Sequence, residues 1–177
     1  MTAIADTGRI RAEHVADAVR RCRAASRERM TGLVDDLHTR QPTLLASVAV
    51  QGRFGASPAT IAFLLELLLV CDLAAQAAGV AWPTVTEAEQ ERHLARLAAT
   101  ARWSEVPGAD ADALQSGYVL EHPEPALLAW VIGSCHAWLS STAAANAERE
   151  ADKHVLLAAL TFVESIARAP DPAARAS

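Results

Sequence analysis

Apolar side chains recur along this chain at helical spacing. Between Ile10 and Thr39 the larger ones fall at Val15, Val19, Cys22, Met30, Leu33 and Leu37. Their steps are three, four or sums of these, which at roughly 100° per residue trace one stripe. The spacing predicts a single long amphipathic helix that Pro42 ends. A short helix over 43–51 should stop at the Gly52-Arg53-Phe54-Gly55 turn. Ser57 then has the chemistry of a cap and Pro58 that of a first helical residue, opening a very apolar helix through Ala78 that Gly79 closes.

Thr86 and Glu89 have capping-box spacing ahead of a helix whose apolar face is read as Leu94, Leu97, Ala98 and Ala101. Val106-Pro107-Gly108 marks a break, and a short helix is expected over 110–118. His122-Pro123-Glu124-Pro125 stiffens a turn and starts a second apolar helix that runs to about residue 145. A final helix over 148–169 carries Val155, Ala159, Phe162, Val163 and Ile166 on one side. No alternating β-branched run is present. The expectation is an all-α fold, a single-domain bundle of about five to seven helices over 1–177 with central helices at 58–78 and 125–145. Residues 1–8 and 170–177 are read as flexible ends.

Composition narrows this picture. Of the 177 residues, 51% are hydrophobic, yet 40 are alanine, which lets helices approach closely while adding little core volume. The stretch 61–80 approaches membrane-spanning length, but Glu66 and Asp72 interrupt it, so a buried helix is the expected form and no membrane partner is implied. Net charge is -5, with +2 on residues 1–40 and -7 on the rest. That balance disfavours nucleic acid as a partner. Three scattered cysteines and an N-terminus with no basic-then-apolar leader suggest a cytoplasmic protein. The arginine and alanine excess suggests a bacterial, GC-rich source.

Candidate chemistry is sparse. Glu66 lies among Phe63, Leu64, Leu65, Leu67, Leu68 and Leu69. It is either an edge residue reaching water or an arginine, or the anchor of an interhelical ligand pocket with Asp72 and His136. Arg20, Arg23 and Arg27 would form a strip on one long helix, able to meet an acidic partner or to pair with Asp17 and Glu28. Glu89/His93 and Glu150/His154 are i, i+4 pairs read as solvent-facing helix pairs. Ala129, Gly133 and Ala137 form a small-residue strip on which another helix should pack. Cys135 and His136, about 100° apart on a helix, do not form a nucleophile pair.

No phosphate loop, metal-ligand spacing or cofactor motif is found. The leading reading is a noncatalytic helical module for protein–protein interaction or regulation, with self-association as one form and Trp82 and Trp103 as aromatic anchors. The alternative is a small-molecule-binding protein or enzyme with its pocket at Glu66. A second alternative is a nucleic-acid-associated regulator using the arginine strip.

Overall fold

The computed structural model describes residues 9–103, 118–142 and 149–169. All regular structure among them is helical: α1 (Ala12–Arg23), α2 (Arg27–Arg40), α3 (Pro42–Val50), a 3-10 turn (Gln51–Phe54), α4 (Pro58–Ala77), α5 (Glu87–Trp103), α6 (Pro125–Thr142) and α7 (Arg149–Ala167). The all-α expectation holds. The expected ends 1–8 and 170–177 and the short helix over 110–118 lie outside the described residues, apart from helical backbone that begins at 118.

Four helices form a ring. α1 and α7 each pack on both α4 and α6, α5 lies outside on α7, and α2 and α3 lie against α4. Phe63 near the start of α4 stacks on Trp138 near the end of α6, with ring centroids 4.6 Å and planes 5° apart. Side chains from all four ring helices, with Leu33 and Leu37 of α2 and Leu44 and Val48 of α3, share one continuous core.

The expected helix over 10–39 is two helices. Ser26 accepts the Arg29 N–H at 3.2 Å and starts α2, while the Ala24 N–H closes α1 on the Arg20 carbonyl. The apolar stripe survives the break because Val15, Ala18 and Cys22 on α1 and Leu33 and Leu37 on α2 all reach the core. Period alone therefore gave no sign of the interruption.

α4 begins as its sequence predicts: Ser57 accepts the Thr60 N–H at 3.1 Å, Pro58 opens the helix, and Gly79 beyond its end takes φ +68°. Every residue from Leu67 to Ala75 is buried. α4 is long and apolar enough to cross a membrane, and 56% of its most apolar stretch is buried inside the bundle. α7 buries Val155, Ala159, Phe162, Val163 and Ile166, the face that the sequence marks.

Two other faces differ from expectation. On α5, His93 and Leu97 are buried and Leu94 is 36% exposed, so the helix is rotated from the predicted Leu94/Leu97 face. The rotation carries His93 inward, where burial acts most strongly on it and the charge of Glu164 on α7 is also felt. On α6, Gly133 and Ala137 are exposed, and a Cβ built at Gly133 would meet nothing within 4 Å. No described helix packs on the small-residue strip.

The segment after α4 is held by Gln41, which is 1% exposed. Its Nε2 donates to the Pro83 carbonyl at 2.9 Å, and its Oε1 accepts the Val85 N–H at 3.0 Å. Thr84 Oγ1 adds a bond to the Arg40 carbonyl at 2.9 Å. Gln41→Ala strands a buried N–H, and denaturant unfolding should show a loss of about 3 kcal/mol. Ser57→Ala, which removes an exposed cap, should cost about 1 kcal/mol.

Candidate functional site

The structure separates the residues of the expected ligand pocket. Glu66 is exposed on α4, on the same face as exposed Ala59 and Ala62, while Leu64, Leu67 and Leu68 turn inward. Its charge reaches Cys22 on α1, whose thiol pKa is pushed up first by burial and then by Glu66. His136 is exposed on α6. Asp72 is buried and fully engaged: Arg40 Nη2 donates to it at 2.6 Å, Arg40 Nε at 3.3 Å and Gln76 Nε2 at 2.6 Å. None of the three side chains touches another among the described residues.

The other candidates are also dispersed. Arg20 pairs with Asp17 at 3.1 Å, Arg23 is exposed in the last turn of α1, and Arg27 is the first residue of α2, so the three do not share one helix. Trp82 is half-buried in the segment after α4, and its indole N–H is buried without a partner among the described residues. Trp103 ends α5, and its side chain lies outside the described residues, as do those of Glu150 and His154. Cys135 is buried with its thiol pKa pushed up to about 12 by burial, which leaves it unreactive. Glu89 completes the predicted capping box, accepting the Thr86 N–H at 2.8 Å, and that bond lowers its pKa.

A buried polar cluster that sequence reasoning missed lies where α6 begins and α7 ends. Glu124, 0% exposed, accepts Arg9 Nε at 2.7 Å and the Ile10 N–H at 2.9 Å. Arg9 also donates to the Ile166 carbonyl at 2.8 Å and the Ala169 carbonyl at 3.1 Å. These carbonyls lie at and just beyond the end of α7, where the Ile166 carbonyl also accepts the Ala169 N–H at 3.0 Å. The Glu124 N–H in turn donates to His122 Nδ1 at 3.0 Å. That bond assigns the His122 proton to Nε2.

His122 Nε2 faces Glu164 Oε1 from 3.5 Å, too far for a full hydrogen bond and otherwise unpartnered. Glu164 accepts the Tyr118 hydroxyl at 2.9 Å and Arg168 Nε at 3.1 Å. His122 first, then Tyr118 and Arg168, hold the Glu164 carboxyl down at about 2 against the opposing cost of burial. Burial, and then Glu164, raise the pKa of the Tyr118 hydroxyl. His93 approaches from α5 with its Nδ1 buried and without a partner among the described residues, and burial lowers its pKa. This overturns the reading of Glu89/His93 as a solvent-facing pair.

Chemically the carboxylates of the cluster act as anchors, while His122 Nε2 and His93 Nδ1 stay without a full hydrogen bond among the described residues. Both carboxylates are occupied by donors, and among the described residues no group of three or more His, Cys, Asp or Glu side chains could hold a metal. The one cue in the sequence was His122 and Glu124 bracketing Pro123, and their partners lie 115 residues before or 40 and more after them in the chain.

No family model, no curated protein and no solved structure matches this chain.

The cluster sets an acid response. Glu164 has a folded pKa of about 2 against an ordinary 4.5, so its stabilisation is complete above pH 4.5 and is lost as pH falls through 2. His93 acts higher: below its ordinary 6.5 the unfolded chain binds a proton that the folded chain resists, so stability falls with pH there too. Unfolding free energy measured from neutral to acid pH should decline in two stages. Glu164→Gln should remove the lower stage and His93→Gln the upper, whereas unchanged slopes in both variants would refute the assignment.

Proposed function

We propose that this chain is a noncatalytic protein–protein interaction module and that the outward face of α6 is its contact surface. The observation behind this reading is that α6 has no Asp, Glu, Lys or Arg in 18 residues, yet Gly133, His136, Ala137, Ser140 and Ser141 are exposed. A helix uncharged on all sides ordinarily buries all sides. Here Ala129, Gly133 and Ala137 lie at steps of four, a strip on which a second helix can approach closely. Half-buried Trp130, Ile132 and Trp138 supply apolar area beside it.

The noncatalytic part of the reading is supported by the carboxylates. Asp72, Glu124 and Glu164 each serve an internal contact. Self-association of two copies through α6 is the simplest form. A reducing, cytoplasmic setting accords with three unpaired, buried cysteines. The pocket and nucleic-acid alternatives lose their support, because the pocket residues are separated and the arginine strip is split between helices.

Light scattering over a concentration series should show mass above that of one chain, and Gly133→Arg should weaken the association at least about thirtyfold. Gly133→Ala should raise the stability of the single chain by about 1 kcal/mol, since its Cβ meets nothing and glycine disfavours helix. A wild-type protein that stays at single-chain mass at every concentration would refute the self-associating form.

A further inference from the structure

The corner between α1 and α2 concentrates positive charge. Arg21, Arg23, Arg27 and Arg29 are exposed, and among the described residues their guanidinium groups make no ion pair, unlike Arg20 with Asp17. Glu28 is the one acid within that run of nine residues, in a chain whose net charge is -5. The N-terminus of α2 adds its own positive potential there. From this corner an open groove runs along α2, lined by Ala25, Arg27, Met30, Thr31, Val34 and Asp35. Its floor is apolar through half-buried Met30 and Val34, and its ends carry opposite charge, basic at Arg27 and acidic at Asp35.

α5 presents the matching surface. Glu87, Glu91 and Leu94 stand at i, i+4 and i+7, all exposed, and Leu94 is among the few large apolar side chains left in water. They share one face within about 60°. The seven-residue step from Glu87 to Leu94 equals that from Arg27 to Val34, about 10 Å along either helix. Laid parallel in that register, Glu87 falls on the arginine corner, Glu91 one turn further along beside Thr31, and Leu94 reaches the groove floor at Val34. Within one molecule α2 lies on α4 and α5 lies on α7, so neither surface is taken up by the other.

We propose that α5 of one copy docks into the α2 groove of a second copy through Glu87, Glu91 and Leu94. The two surfaces differ, so the contact is head-to-tail and each copy keeps one free donor and one free acceptor face, the arrangement that builds open chains or rings. It uses a different face from α6 and does not depend on the α6 contact. Charge steers it, so salt weakens it, whereas the uncharged α6 contact is indifferent to salt.

The test is light scattering of the full chain in the Gly133→Arg background, which silences α6, at low and at raised salt. The mass should grow with concentration at low salt and fall back when salt is added. Arg23→Glu with Arg27→Glu should weaken association about tenfold, and so should Glu87→Arg with Glu91→Arg, each with an unchanged thermal midpoint. An equimolar mixture of the two charge-reversed proteins should restore it, because every groove then meets a helix of opposite sign. Growth that ignores salt, or that survives either reversal, overturns the proposal, as does failure of the mixture to restore association. If the copies stay apart while a fluorescent single-stranded oligonucleotide binds the parent and not the arginine variant, the corner is a nucleic-acid surface and the proposal fails.

Discussion

A carboxylate with no access to water must be compensated where it sits, and Glu124 imposes that requirement on three helices at once. Its charge is met by the Arg9 guanidinium and the Ile10 N–H, and both donors belong to the segment that leads into α1. Arg9 then uses its remaining N–H groups on the carbonyls that end α7. The start of α1, the start of α6 and the end of α7 are thereby fixed to one another by a single ion pair. Removing one partner of such a pair leaves the other buried and unmet, so the loss of either is strongly destabilising.

The same logic recurs on the other side of α4. Asp72 is buried within the longest apolar helix and is met by Arg40, which anchors the end of α2, and by Gln76 one turn later. Gln41, next in sequence to Arg40, holds the segment after α4. Buried polar groups therefore mark the places where α2 and the segment after α4 join the ring, and apolar side chains fill the space between. Asp72, Glu124, Glu164 and Gln41 are thus committed to internal contacts. Uncharged α6 and the arginine corner are the two places where the surface departs most from an ordinary solvated one.

How much of this could be read from the chain follows from the range of each interaction. α4 and α7 were legible because every turn repeats the same apolar step and local caps mark the start of α4. The break at Ala24–Ser26 was hidden because the stripe passes over it in phase. Glu66 was misleading because bulky neighbours in sequence are not neighbours in space. Ala59 and Ala62, at helical steps from it, were the quieter sign that this face looks outward. Asp72 had its sign in Gln76 at i+4. The burial of His93 within range of the Glu164 charge could not be read from local pattern, since it depends on how α5 is rotated against α7. Glu124 was seen as a turn residue because nothing near it in sequence names Arg9 as its counter-ion.

Arg9 and the Ala169 carbonyl are 160 residues apart. Made in order at roughly 5–20 residues per second, a chain would emit the first of these groups about ten to thirty seconds before the second exists. During that interval Val15, Ala18 and Cys22 of α1 have α4 to lie against but no α7, and Arg9 has no helix end to close. The bundle is thus knit by its latest contacts. The ring can shut only when nearly all of its length is present, and the exposed apolar faces of its early helices are held in trust until then.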